Sequence, residues 1–365
     1  MEQMDQEKYI IRRLAALPGA SIRIVLERLR NRSFLIPFSL IMAAVIIAAL
    51  YITLALSDSS IEKAVRTIVT GLIWGGVYSL AALGIVVVYK STRIFNMAHG
   101  GILLFLTYFA WWLMSPYDLP PWAALPILIL AAAAFGLGLH WLFFKGMIGH
   151  DELKTFLATL MLGFTVLHGL TVLVFEGKQK YMPDFIPEPG FIEQGRINVI
   201  GSFNLNWELL VSFIVATCLF LIFVFYFRFT KSGLAMRCVS EDNVISQSLG
   251  INVKQIYAIA WIVGCITAAV GGILVSRYTA VYSDAGGMGT YVLVRALPIV
   301  LLGGLDSIAG AFTAALLIGL TEQLCSSYVN PHVDQFSSVL PYVLMVSVMI
   351  IRPQGLFGTR GIKRI

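Results

Sequence analysis

Apolar residues fall in runs of roughly 20, each long enough at about 1.5 Å per residue to cross about 30 Å of hydrocarbon. The runs lie near 34–56, 67–89, 97–115, 121–144, 154–175, 207–228, 256–282, 291–325 and 336–352. The eighth is too long for one helix. Its centre, Leu302-Gly303-Gly304-Leu305-Asp306-Ser307, reads as a break between a short piece near 291–302 and a longer one near 308–325. The pattern predicts an all-α polytopic membrane protein with about nine membrane segments, one of them broken or re-entrant. At membrane depth such a break survives only if it is buried in protein or lines a watery cavity, which makes Gly303, Gly304, Asp306 and Ser307 candidates for lining a path.

Composition agrees: 58% of residues are hydrophobic and 13% charged, far from soluble usage. The net charge of +6 is informative through its placement. If the first 33 residues are cytoplasmic, sides alternate at each span and the broken span returns to the side it left, 19 of the 26 Lys and Arg residues fall on the cytoplasmic side. That satisfies the positive-inside rule and predicts both termini in the cytoplasm. Because the basic residues follow membrane topology rather than one face, a nucleic-acid role is excluded.

Residues 1–33 mix Arg12, Arg13, Arg23, Arg28, Arg30 and Arg32 with Ile22, Val25, Leu26 and Leu29, either an amphipathic helix on anionic membrane lipid or a solvated tail that sets orientation. The run at 34–56 is an additional, uncleaved N-terminal span. Cys218, Cys238, Cys265 and Cys325 are scattered, with no metal or disulfide spacing. No His, Asp or Glu pair has catalytic or metal-binding spacing within a span, so neither catalytic nor metal residues are assigned. No phosphate loop is present either, since Gly177-Lys178 is followed by glutamine.

Two loops are long. The outer one, 176–206, carries Pro183, Pro187, Pro189 and Gly190, and is either a surface for an external partner or a passive connector. The inner one, 229–255, contains a stretch from Arg237 to Leu249 that reads as one surface helix with an apolar stripe of Val239, Ile245 and Leu249. Gly250 ends it, with Ile251 placed to pack back on Ile245 as in a Schellman ending. A helix of this kind, apolar on one side and acidic at Glu241 and Asp242, needs something to dock on.

The segment Ser232-Gly233-Leu234-Ala235-Met236-Arg237-Cys238-Val239-Ser240-Glu241-Asp242, followed by Ser248-Leu249-Gly250-Ile251-Asn252, resembles the coupling loop of branched-chain amino acid ABC permeases. Three further pieces match in order. Asn96-Met97-Ala98-His99-Gly100 is similar to the Asn-x-Ala-His-Gly motif of the LivH-type subunit. The segment Leu302–Ala311 resembles the Leu-Gly-Gly-x-Gly-Ser-x-x-Gly-Ala motif, with Asp306 where the family usually has glycine. Arg352-Pro353-Gln354-Gly355-Leu356-Phe357-Gly358 resembles the C-terminal motif. The four together anchor a permease domain over about 65–360.

The resemblance implies a membrane subunit of an ATP-driven importer in a bacterial or archaeal inner membrane. The implied cargo is a small polar solute such as a branched-chain amino acid, an amide or urea. Implied partners are two cytoplasmic ATPases that hold ATP and magnesium, a second permease of LivM type and an external substrate-binding protein; no cofactor is expected on this chain. ATPase coupling would fall to Met236, Arg237, Val239, Glu241, Asp242, Ile245, Leu249 and Gly250.

Asn96, His99 and Gly100 either line the path or tie helix ends together. Arg295 is an intramembrane charge that needs a partner among Asp284, Asp306 and Glu322, in a functional site or a structural salt bridge. Arg277 reads as a snorkelling side chain. A weak internal echo pairs Asn96–Gly101 with Asp306–Ala311. The rival reading is a stand-alone secondary transporter or channel, which would not require the coupling loop.

Overall fold

The chain is described from a computed structural model, which covers residues 61–186, 196–200, 203–283 and 287–358. The basic tail, the span at 34–56 and Asp284 lie outside the described residues, as does the chain end from residue 359. The architecture is helical, with one small β-hairpin. The elements are α1 (Ile61–Thr92), α2 (His99–Met114), α3 (Pro121–Leu139), α4 (Glu152–Met161), α5 (His168–Phe175), β1 (Arg196–Ile200), β2 (Phe203–Asn206), α6 (Trp207–Phe229), α7 (Lys231–Glu241), α8 (Asn243–Ser248), α9 (Val253–Ser276), α10 (Met288–Gly303), α11 (Ile308–Tyr328) and α12 (Phe336–Ile351). A π turn at His140–Phe144 extends α3, and a second at Leu162–Leu167 joins α4 to α5. Six helical runs among the described residues are long and apolar enough to cross a membrane, while α2, α10 and α12 are shorter apolar helices. The protein is a polytopic membrane protein.

α1 is the central post. Its apolar stretch is 89% buried, whereas α3, α4 with α5, and α6 bury about a third or less of theirs and present large side chains such as Leu130, Leu173 and Phe225 outward. α1 crosses α11 closely because Gly75 lies where a Cβ would come within 2.6 Å of the Ala315 carbonyl oxygen. α9 crosses α3 in the same manner, with Gly136 against the Trp261 carbonyl.

These two crossings belong to an inverted arrangement. α1, α2 and α3 correspond to α9, α10 and α11: α1 packs on α11, α9 on α3, and α2 on α10. In the first half α1 gives way to non-helical chain at 93–98, which re-enters the bundle before the 16-residue α2 starts inside it, and α10, also 16 residues, starts against α2 at Gly289. At residues 93–98 the chain returns so far that His99 sits beside Gly84 of α1 and Thr267 of α9. Gly100 and Gly289 meet reciprocally, so the counterpart of the α2 start is the α10 start at Met288 and Gly289, not Asp306–Ala311 as the sequence echo suggested. Polar-to-small turns recur at several helix starts, so the echo lacked the resolution to choose between them.

The break at Gly304–Ser307 exists, but it lies at the end of the bundle that carries α7 and α8. Lys90, near the end of α1, donates to the Asp306 carbonyl and sits 5.3 Å from the Phe227 ring at the end of α6. The break thus turns a helical hairpin at the bundle end rather than crossing its middle. Its freed carbonyls are satisfied by the C-terminal motif: Leu356 N–H donates to Leu302 O at 2.8 Å and Phe357 N–H to Gly303 O at 3.1 Å. Ser307 Oγ accepts from Gly310 N–H at 3.0 Å and caps α11.

At the opposite end the loop after α5 folds onto the bundle. Lys180 and Val281 exchange backbone hydrogen bonds, and Met182, Phe185 and Ile186 are buried. Arg277, expected to snorkel, instead pairs with Glu208 and, at 2.7 Å, with Asp184. Burial works against its charge, but the hydrogen bonds and charges of Glu208 and Asp184 outweigh it and raise its pKa.

Candidate functional site

The residues proposed from the sequence for the path separate into two places. Asn96, His99 and Gly100 gather at the start of α2, whereas Gly303, Gly304, Asp306 and Ser307 turn the α10–α11 hairpin at the bundle end.

At the first place, Asn96 Oδ1 accepts from Ala98 N–H at 3.0 Å, the turn that redirects the chain into α2. His99 is fully buried and neither ring nitrogen has a hydrogen-bond partner among the described residues. It does not cap α2, whose cap position is Ala98. Gly100 meets Gly289, the second residue of α10, so tightly that a Cβ on either would come within 2.6 Å of the other's carbonyl oxygen. A cavity of about 30 Å³, room for a water or two, lies at this crossing, lined in part by Gly100, Gly101, Gly163, His168, Gly289 and Thr290. Gly289 and Gly163 were missed from the sequence. The signal for Gly289 was the Gly286-Gly287-Met288-Gly289 run ahead of an apolar helix.

At the bundle end the inner loop forms two helices rather than one. Asp242 leaves helical geometry at φ −156°, and its Oδ1 accepts from Val244 and Ile245 N–H, both at 2.9 Å, so it is the N-cap of α8. The change of direction splits the expected apolar stripe. Met236 and Val239 on α7 face inward at 0% and 2% exposure, while Ile245 and Leu249 face outward at 46% and 72%, joined by Val244 at 74%. Val244 was missed because a continuous helix would have placed it elsewhere; Asp242 followed by an apolar pair was the available cue. Gly250, at φ +82°, closes α8 with the bonds of a Schellman ending, Ile251 N–H to Ser246 O and Gly250 N–H to Gln247 O. Ile251 packs on the bundle core.

Glu241, three residues before Val244 in the chain, is exposed. α7 is tied to the rest of the bundle end: Arg93 Nε donates to Ser240 O at 2.8 Å, and the Arg237 guanidinium lies 5.9 Å from the Phe227 ring that also receives Lys90. A chain of contacts therefore runs from α7 through Phe227 and Lys90 to the Asp306 turn.

Of the two candidates for Arg295 among the described residues, Asp306 and Glu322, its partner is Glu322 on α11. Arg295 donates to Glu322 Oε1 from Nε at 3.1 Å and from a terminal nitrogen at 2.7 Å. Asp306 lies at the hairpin turn, away from this pair.

Comparison with known proteins gives the family. Residues 67–349 match the model of the family described as branched-chain amino acid transport system / permease component. The high-affinity branched-chain amino acid transport system permease protein BraD of Pseudomonas aeruginosa is 26% identical over 309 residues, covering 82% of this chain and 97% of the relative. The corresponding LivH protein of Escherichia coli is 23% identical over 303 residues, covering 81% and 96%. The guanosine ABC transporter permease protein NupP of Bacillus subtilis is 25% identical over 278 residues, covering 75% and 77%. The chain is an ABC transporter permease subunit, not itself an enzyme, and it belongs to the branched-chain amino acid transport permease family.

Proposed function

We propose that this subunit forms half of the path of an ATP-driven importer and receives its drive through α8. The observation that carries the proposal is the apolar edge of Val244, Ile245 and Leu249, held outward by a capped helix at the bundle end. Burying what those three side chains leave exposed contributes on the order of 3–6 kcal/mol before the costs of association. The partner is an ABC ATPase, one of two that bind ATP and magnesium; Met236 and Val239 root the device in the bundle, and Glu241 adds charge to its rim. The bundle end with α7 and α8 is then cytoplasmic, as are both termini, in the inner membrane of a prokaryote.

In this cycle, ATP-driven closure of the ATPases pushes α8 and α7. The push passes through Phe227 and Lys90 to the turn at Gly303–Ser307, so these residues act as the hinge of α10 and α11 rather than as the path itself. Asn96, His99, Gly100 and Gly289 form the crossing about which the two inverted halves shift. A second permease, of LivM type, completes the path, and an external binding protein delivers a small polar solute, a branched-chain amino acid, an amide or urea. Family membership leaves the stand-alone carrier without support.

The test is a mild-detergent purification of the tagged chain beside its Ile245→Glu/Leu249→Glu variant. ABC ATPases that accompany the wild type and are lost from an intact variant support the docking role. ATPases retained by the variant at wild-type stoichiometry remove α8 from it.

A further inference from the structure

Arg295 and Glu322 are the charged pair on two helices otherwise built for hydrocarbon, where a charge is costly to insert. Arginine–carboxylate pairs frequently use both carboxylate oxygens in a fork. This pair does not. Both donated bonds go to Oε1, while Glu322 Oε2 is buried without a hydrogen-bond partner. The remaining guanidinium nitrogen reaches only the Tyr291 carbonyl at 3.5 Å, the outer limit of a hydrogen bond.

The guanidinium stacks 3.6 Å from the centre of the Tyr291 ring and lies 5.8 Å from that of Tyr78, and the two tyrosine hydroxyls are 3.3 Å apart. The charged side chains are not sealed, being 15% and 14% exposed. A charged pair open to hydrocarbon would be unstable, so that opening faces water or polar protein.

We infer that Arg295 and Glu322 line the translocation path and recognise a zwitterion, the α-carboxylate taking the spare guanidinium donors and the α-ammonium the free Glu322 oxygen. The inference rests on the importer reading above. It also gives the hinge a purpose: the pair bridges α10 to α11, so a movement at Gly303–Ser307 changes the gap that the solute enters.

The test uses the complete transporter, with its second permease, ATPases and binding protein, in proteoliposomes supplied with ATP and labelled L-leucine. In complexes of Arg295→Met/Glu322→Gln that still assemble, the KM for L-leucine uptake rises at least about tenfold, the loss of a charge-assisted contact. Glu322→Gln alone, nearly isosteric, raises KM in the same direction and serves if the double variant fails to assemble. Water access is read separately at Cys325, half-buried one turn beyond Glu322, with Cys218, Cys238 and Cys265 replaced by alanine. A membrane-impermeant thiol reagent labels it, and L-leucine slows the labelling.

An unchanged KM in assembled variants, or a Cys325 that reacts only after denaturation, overturns the inference and leaves the importer reading intact. A wild-type complex that hydrolyses ATP with its binding protein yet carries no L-leucine overturns the zwitterion assignment. A chain that binds no ATPase at all overturns the importer reading instead.

Discussion

The Leu356 amide donates to the Leu302 carbonyl at 2.8 Å, so the end of the chain caps the helix that ends at Gly303. Two motifs about fifty residues apart, each only a sequence pattern by itself, form one piece of structure. The hairpin turn also depends on Gly304, at φ +104°, where a Cβ would lie 2.5 Å from Gly358 N. Gly304→Ala should therefore destabilise the protein by about 1–3 kcal/mol through strain and collision. Gly138→Ala, a helical position with open space, should be neutral or stabilising. Thermal unfolding in detergent checks both, and equal midpoints would refute the latch.

Lys90 is expected to matter for transmission rather than for folding. Its ammonium joins the Asp306 carbonyl to the Phe227 ring, a charge-assisted bond of about 1.5–3 kcal/mol. Lys90→Met keeps the aliphatic stem and removes the donor. Uptake in proteoliposomes should fall at least about tenfold while ATP hydrolysis continues, the mark of an uncoupled importer. If both activities fall together in an assembled complex, the residue is structural only.

Asp242 separates capping from charge. Asn caps nearly as well as Asp, so Asp242→Asn should transport normally, whereas Asp242→Ala loses about 1 kcal/mol of cap and lets α8 fray. Replacing both Glu241 and Asp242 with lysine would mix lost charge with a lost cap, so Glu241→Lys alone is the cleaner probe of rim charge. Uptake by the three single variants, at matched protein levels, checks the order.

The spans were legible because about 20 apolar residues in a row have few alternatives to a membrane helix. The predicted run at 207–228 is α6 to within a residue. Depth was not legible. Hydropathy did not reveal that residues 93–98 re-enter the bundle, since His99 and its glycines look alike at a helix end or in a membrane interior. The break at Gly304 was found, but its partner lay at the far end of the chain, so its position at the bundle end required three-dimensional contacts. The acid that Arg295 meets, Glu322, was among those named from the sequence, but only packing brings the two together. The coupling stripe was misdrawn for a local reason, because a single capping aspartate shifts the phase of every apolar residue after it.

The central claim is that ATP drives transport through the outward edge of α8. Its most direct measurement is ATP-dependent solute uptake by proteoliposomes containing the full complex, with either wild type or Ile245→Glu/Leu249→Glu, at equal amounts of inserted protein. Wild-type uptake that requires ATP, and a variant that inserts and unfolds normally but takes up nothing above the ATP-free level, is the predicted result. ATP-driven uptake by the variant at the wild-type rate would contradict the account.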